Sequence, residues 1–248
     1  MTRLVTVAHG TRNQVGNEVA RRITAAAAAR LGIAATTSFV ELCEPSFADV
    51  VAGGGDAAVS GEQDETVVVP LLLSRGYHVA VDLPAAVLAA RGTVTLAPPL
   101  GPHGLLAEAM AARLAEAGAV SGQPCVVVAA GSRDPRGAAD LAATAALLAG
   151  LRGSEVRVAA HAGDLPRPAD LVTPDDAVVP YLLAPGFFAD RTTRDSRAAG
   201  ATVVADVLGV HPRVVDLVVE RASAVLGPVK DAPGHPAVRR PSRASAGR

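Results

Sequence analysis

The chain has 248 residues and a formal net charge of −1; half of its residues are hydrophobic and only 2% are aromatic. A near-neutral chain lacks the basic surface of nucleic-acid-binding proteins, and no apolar run reaches the roughly 18 residues that a membrane helix needs. Its two cysteines form no CxxC pair, and no secretion signal precedes the first predicted strand. We therefore expect a cytoplasmic protein that binds neither nucleic acid nor membrane.

Val-rich apolar runs alternate with segments of helical period along the chain. Strands are predicted at 3–8, 34–40, 65–72 and 93–97, and helices at 14–31, 45–53, 79–90 and 103–118. The pattern starts again with a strand at 124–131, "PCVVVAAG". Continuous apolar strands that alternate with helices predict an α/β fold, with parallel sheets covered by helices on both faces.

Four segments of the first half return in the same order in the second half. The aligned pairs are "VAHGTRNQVG" (7–16) with "VAAGSRDPRG" (128–137), "EPSFADVV" (44–51) with "LPRPADLV" (165–172), "VVVPLLLSRGYHV" (67–79) with "AVVPYLLAPGFFA" (177–189), and "LGPHGLLAEAMAARL" (100–114) with "LGVHPRVVDLVVERA" (208–222). Four matches in order indicate an internal repeat. The predicted units are 1–120 and 121–228, followed by a disordered basic tail at 229–248.

The second copy serves as an internal control for the first, because structural residues should persist in both copies while a chemical site need survive in only one. The persisting pairs, which we interpret as structural, are Gly10 and Gly131, Arg12 and Arg133, Pro70 and Pro180, Gly76 and Gly186, and His103 and His211. Three ionisable residues do not persist: His9, Glu41 and His78 are replaced by Ala130, Ala162 and Phe188. The first half therefore carries the candidate site.

His9, Glu41 and His78 each follow a predicted strand. The carboxyl ends of parallel strands share one edge, where open α/β sheets bind their ligands. Imidazole nitrogens suit Fe, Co, Ni and Zn, and a small protein ligand set leaves coordination positions open, so the metal can exchange. The same side chains accept protons near neutral pH. The trio therefore suits insertion of a divalent metal into a ligand that must lose N–H protons.

The segments "AHGTRNQVGN", "VELCEPSFADV", "VVVPLLLSRGYHVAVDLP" and "LGPHGLL" resemble the sirohydrochlorin chelatases, a group of class II chelatases. The resemblance covers residues 3–118 and returns, weaker, over 124–226. It implies two homologous domains in a fused long form, each with a mainly parallel four-stranded sheet and helices on both faces, with a cleft between them. It also implies insertion of Fe²⁺ or Co²⁺ into sirohydrochlorin, with His9 and His78 handling the metal beside Glu41 and a catalytically silent second half.

The tetrapyrrole substrate that the resemblance implies carries many carboxylates, so cationic and polar anchors are expected in the loops around the site. The candidates are Arg12, Ser74, Arg75 and Tyr77. Since Arg12 persists as Arg133 in the silent half, a structural role is the favoured alternative for it. We expect no permanently bound cofactor, the divalent metal being a substrate, and either a monomer of two fused halves or a weak homodimer.

Several functional alternatives stay open. Fe²⁺, for sirohaem, is the favoured metal, but Co²⁺, for cobalamin, binds nitrogen and oxygen ligands more tightly. A metal or tetrapyrrole carrier without turnover is a further alternative. A phosphohydrolase that uses His9 as nucleophile is disfavoured because Ala8, rather than an arginine, precedes it. A dinucleotide site is disfavoured because no GxGxxG follows the first strand.

Overall fold

The computed structural model describes residues 2–53, 65–76, 78–90 and 92–226, without the side chains of His78 and Val79. The basic tail predicted at 229–248 lies outside the described residues. No helix in these ranges is long and apolar enough to cross a membrane.

Strands and helices alternate through both halves, as the sequence predicts. The first half contains β1 (Thr2–Ala8), α1 (Gln14–Leu31), β2 (Ala34–Phe39), α2 (Phe47–Ala52), β3 (Glu65–Pro70), a π-helical turn (His78–Asp82), α3 (Leu83–Leu88), β4 (Thr93–Leu96) and α4 (Gly104–Glu116). The second half contains β5 (Cys125–Ala129), α5 (Pro135–Arg152), β6 (Val156–Ala160), α6 (Pro168–Leu171), β7 (Ala177–Pro180), α7 (Phe187–Ala198), β8 (Val203–Val204) and α8 (Pro212–Leu226).

Each half forms one four-stranded sheet, with the strand orders β2-β1-β3-β4 and β6-β5-β7-β8. Every strand pair is parallel. The order is the same in both halves, with β1 and β5 in equivalent central positions. The predicted fold class, two homologous α/β halves with parallel four-stranded sheets, is confirmed.

Alternate residues of the central strands face opposite sides of each sheet. Leu4 and Val67 belong to the same buried cluster as Cys125 and Val127 of the second sheet, so one core runs through both halves. Val5, on the other face of the first sheet, packs in a separate cluster beneath α2 and α3. The apolar runs of the sequence are therefore explained by burial on both faces.

The two halves exchange their last helices. Helix α4 packs against β7 of the second sheet, and α8 packs against β3 of the first. Arg113 on α4 donates from Nη2 to the Leu208 carbonyl at 3.0 Å, and Arg221 on α8 donates from Nε to the Pro99 carbonyl at 3.2 Å. These matched contacts show an approximate twofold relation between the halves, and each sheet depends on the other half for part of its cover.

Candidate active site

The turn that follows β1 has a backbone that only glycine adopts easily. Gly10 has φ +93°, and a Cβ placed there would lie 1.9 Å from the Glu41 carbonyl oxygen. Gly131, at the same point after β5, also has φ +93°, and its Cβ would lie 2.1 Å from the Ala162 carbonyl oxygen. The structural role predicted for this glycine pair is confirmed. Because the carbonyl packs against the glycine, the residues that end β1 and follow β2 lie side by side.

His9 and Glu41 meet at this edge of the first sheet. The Glu41 amide donates to the His9 carbonyl at 3.1 Å, and their side chains approach to 3.4 Å between His9 Nε2 and Glu41 Oε1. The two side chains are 53% and 50% exposed, so a ligand can reach both. The structure thus brings together two of the three ionisable residues that the repeat comparison selects.

His78 begins the π-helical turn that follows the β3 loop, and the Ala80 amide donates to the Gly76 carbonyl at 3.0 Å at the start of this turn. The side chain of His78 and the whole of Tyr77 lie outside the described residues. Among the side chains that are described, no three His, Cys, Asp or Glu residues form a metal-binding group. The metal-ligand roles of His9 and His78 therefore stay predictions, as does the proton-accepting role of Glu41.

A cavity of about 770 Å³ lies between the two halves. The first half contributes His9 and residues 71–76, and the second half contributes residues 129–135 and 181–183. All of these segments follow the carboxyl ends of strands, the edge where α/β sheets place their ligands. The predicted cleft is confirmed, and its volume falls in the range of pockets that hold small organic molecules.

Arg75, a predicted substrate anchor, is bound to the second half. Its Nη2 donates to Asp140 Oδ1 at 2.6 Å, and its backbone amide donates to Asp140 Oδ2 at 2.7 Å. The hydrogen bonds that Arg75 donates to the Asp140 carboxylate raise the pKa of the Arg75 guanidinium, which stays charged. The Asp140 side chain is 1% exposed, whereas that of Arg75 is 49% exposed. Arg75 therefore joins the halves, and its predicted substrate contact stays a prediction, as does that of Ser74 on the cavity wall.

Arg12 and Arg133 are both exposed, and neither has a hydrogen bond or ion pair with another described residue. The persistence of this arginine in both copies is therefore not explained by a packing contact. Arg133 lines the cavity from the second half. The sequence does not single out Arg133 as a site residue, because the second half is expected to be silent, although its pairing with Arg12 in the repeat is a usable signal.

Two carboxylates also line the cavity from the second half, Asp134 and Asp164. Asp134 caps α5 by accepting the Arg136 amide at 2.9 Å, and the hydrogen bonds from Arg136 hold the pKa of this carboxyl below its usual range. Asp164 is exposed and has no partner among the described residues. The cavity wall therefore offers both cationic and anionic groups.

His103 and His211, the pair that persists in both copies, stand at the starts of α4 and α8. Their Nδ1 atoms accept hydrogen bonds from the backbone amides of Leu105, at 3.3 Å, and Arg213, at 3.1 Å. The predicted structural role of these two histidines is confirmed, since each satisfies a helix N-terminus.

The chain matches the CbiX family over residues 3–117 and again over residues 124–225. It belongs to the CbiX family. The two matches fall on the two copies of the repeat, and they confirm the resemblance found from the sequence. Among curated proteins, none matches the chain significantly.

Three solved structures share the fold across most of the CbiX-family chain. SirB from Bacillus subtilis with Fe³⁺ gives a TM-score of 0.77 at 24% identity, covering 92% of this chain and 98% of that one. The sirohydrochlorin chelatase SirB from Bacillus subtilis subspecies spizizenii, in complex with cobalt, gives 0.73 at 24% identity, covering 89% and 93%. CbiX, described as the terminal enzyme for siroheme biosynthesis in denitrifying bacteria, gives 0.64 at 21% identity, covering 90% and 99%.

Proposed function

We propose that this protein is a sirohydrochlorin chelatase that inserts Fe²⁺ into its tetrapyrrole substrate. The observation that carries the proposal is the exposed His9–Glu41 pair, with His9 on the wall of the cavity between the halves. The second half has alanine at both equivalent positions. The family match supports the same reaction, since SirB, which shares the fold, is named as a sirohydrochlorin chelatase.

His9 and His78 act as the metal ligands in this proposal. Two imidazoles leave most coordination positions of a divalent ion to water, so the bound ion can still exchange. The half-exposed side chain of His9 suits such transient binding, since a buried, fully ligated ion could not leave for the macrocycle. The metal is a substrate, and no permanently bound cofactor is part of the proposal.

Insertion of a divalent metal releases two protons from the macrocycle nitrogens. Glu41 lies 3.4 Å from His9, which lines the cavity, so a carboxylate and an imidazole stand side by side. A carboxylate and an imidazole are both bases of the kind that take up protons in general acid–base catalysis. Glu41 therefore serves as a proton acceptor beside the metal.

The substrate's carboxylates need cationic partners on the cavity rim. Arg133 fits this role because it lines the cavity, is exposed, and has no hydrogen bond or ion pair with another described residue. Arg12, its exposed counterpart after β1, does not line the cavity and is a weaker candidate. Charge-assisted hydrogen bonds from a guanidinium are stronger than neutral ones, and they also orient the carboxylate. Ser74, Tyr77 and the exposed part of Arg75 remain further candidates.

Cobalt is the second candidate metal. The same relative, SirB, has been observed with Fe³⁺ and in complex with cobalt. The affinity order favours Co²⁺ over Fe²⁺ at one set of nitrogen and oxygen ligands, so the metal supply decides as much as the site does. We favour iron, because the similar CbiX structure is described as that of an enzyme of siroheme biosynthesis.

The test is an anaerobic visible-absorption assay with sirohydrochlorin and either Fe²⁺ or Co²⁺. We expect the wild-type protein to accelerate insertion over the uncatalysed reaction, and His9→Ala to abolish the acceleration. His211→Ala, which removes a helix cap instead, is the control and should keep its activity. If the wild-type protein is no faster than the uncatalysed reaction with either metal, a carrier without turnover becomes the better interpretation.

A further inference from the structure

The second half holds the loop at residues 73–76, which joins β3 to the π-helical turn. The hydroxyl of Tyr181 donates to the Leu73 carbonyl at 2.8 Å. The carboxylate of Asp140 accepts the Arg75 amide at 2.7 Å and the Arg75 Nη2 at 2.6 Å. The loop is therefore fixed to the second half through its backbone at two points, and not only through a side chain.

Asp140 and Tyr181, the two residues that bind the loop, are both buried. The Asp140 side chain is 1% exposed, and a carboxylate removed from water is stable only when hydrogen bonds and a counter-charge replace its hydration. Arg75 supplies both the hydrogen bonds and the counter-charge. If the loop moved away from α5, the buried Asp140 carboxylate would therefore lose its partners. Burial raises the pKa of the Tyr181 phenol, which therefore stays a hydroxyl donor, and Thr144 donates to its oxygen at 3.3 Å.

The halves pack against each other at two equivalent places, which we call crossings. At the first crossing the loop at residues 73–76 meets α5, and at the opposite crossing the equivalent loop of the second half meets α1. There the loop that precedes α7 packs against α1, and a Cβ on Gly16 would lie 2.8 Å from the Pro185 carbonyl oxygen. At the first crossing, a Cβ on Gly137 would lie 3.2 Å from the Arg75 carbonyl oxygen. The close backbone packing is thus shared by both crossings.

Among the described residues, the polar contacts from Asp140 and Tyr181 to the loop have no counterpart at the opposite crossing. The second half places Asp140, Thr144 and Tyr181 where the first half has Val19, Ile23 and Leu71. Apolar residues at these positions are sufficient for packing, as the opposite crossing shows. The polar residues stand only against the loop that leads to His78, so their role concerns that loop and not the general contact between the halves.

We propose that Asp140 and Tyr181 are positioning residues of the metal site, which hold the loop so that His78 keeps a fixed position relative to His9. This inference rests on the proposed metal-handling role of the two histidines. A metal ligand is effective only when its support keeps it within a fraction of an ångström of the required place. The half that lacks metal-binding residues therefore takes part in metal binding by fixing the half that has them.

The test compares Asp140→Asn and Tyr181→Phe with Asp216→Asn in the full chain. Asp216 on α8 also joins the halves, through an ion pair with Arg30 on α1, and neither residue belongs to the loop at 73–76. Amide hydrogen exchange over residues 71–82 is measured first, since it needs no turnover. We expect exchange there about tenfold faster in Asp140→Asn and faster also in Tyr181→Phe, as lost hydrogen bonds to a charged or buried group predict, with Asp216→Asn unchanged.

Metal affinity is the second readout, one that a merely structural role would not change. Titration with Co²⁺, followed through its visible absorption, should give a dissociation constant about tenfold higher in Asp140→Asn and close to wild type in Asp216→Asn. Unchanged exchange and Co²⁺ affinity in both Asp140→Asn and Tyr181→Phe overturn the inference, as does an equal effect of Asp216→Asn. If exchange and affinity respond as expected while the wild type shows no turnover, the chelatase proposal fails and the positioning role stands.

Discussion

The turns after β1 and β5 share one backbone path and differ in their side chains. Both pass through a glycine at φ +93° against the carbonyl that follows the neighbouring strand. The first turn presents His9 beside Glu41, while the second presents Ala130 beside Ala162. One backbone geometry therefore carries an ionisable pair in one half and two alanines in the other, so the fold alone does not decide which side chains stand at this edge.

The second half is not merely a copy that has lost residues. It contributes Arg133 to the cavity, and it buries Asp140 and Tyr181 against the loop of the first half. The second half has alanine in place of His9 and Glu41, and it makes contacts that have no counterpart among the described residues of the first half. The two copies of the repeat can acquire different roles because a substitution in one copy leaves the other unchanged.

The largest effect on stability should come from the shared turns. Gly10→Ala and Gly131→Ala should each lower the free energy of unfolding by about 3 kcal/mol, because the new Cβ meets a carbonyl and φ is positive. Gly118→Ala is the control, since Gly118 has φ +89° with no atom within 4 Å of the new Cβ, so only backbone strain applies. Urea denaturation gives all three values. A harmless Gly131→Ala would show that the two turns are not equivalent.

The next effect concerns catalysis in the first half only. Glu41→Gln should lower kcat about a hundredfold, the usual contribution of a positioned proton acceptor. Asp164→Asn, which changes a cavity carboxylate of the second half, should keep kcat within about threefold of wild type. Steady-state rates of metal insertion give both numbers. Equal losses in the two variants would mean that the reactive edge is not confined to the first half.

The paired arginines Arg12 and Arg133 should both contribute to substrate binding, although only Arg133 lines the cavity. Arg12→Ala and Arg133→Ala should each raise the KM for sirohydrochlorin about tenfold, because each removes a charge-assisted hydrogen bond. Both residues are exposed, so the free energy of unfolding should not change. Arg22→Ala, on the exposed face of α1, is the matched control. A KM unchanged in Arg133→Ala would leave the second half without a substrate contact.

The smallest effect concerns pH and the buried His161, whose counterpart in the first half is Val40. Its Nε2 lies 2.8 Å from Thr192 Oγ1, and burial lowers the pKa of its imidazole. The unfolded chain therefore takes up a proton below about pH 6.5 while the folded chain stays neutral, so stability falls as the pH is lowered through this range.

The substitution His161→Val should reduce this loss of stability on the acid side. Denaturation at pH 7.5 and pH 5.5, both measured for wild type and variant, gives the comparison. Some acid sensitivity should remain, because partial burial also lowers the pKa of His211. An unchanged pH dependence in the variant would show that His161 is not the group that titrates.

The sequence was sufficient for features that depend on local pattern. Apolar runs and helical periods predict both parallel sheets, and the repeat identifies Gly10 and His103 as structural. The exchange of α4 and α8 was not predicted, because an apolar helix face does not specify which sheet it covers. Asp140 was also missed, since its partner Arg75 is distant in sequence and no local pattern marks a buried ion pair.

The most direct test of the division between the halves uses one equivalent position in each. His78→Ala and Phe188→Ala change aligned residues, and anaerobic sirohydrochlorin turnover is measured for both at a temperature where both remain folded by circular dichroism. We predict a loss of about a hundredfold or more in His78→Ala and a rate within about threefold of wild type in Phe188→Ala. Comparable losses in the two variants, or full activity in His78→Ala, would contradict a metal site carried by the first half alone.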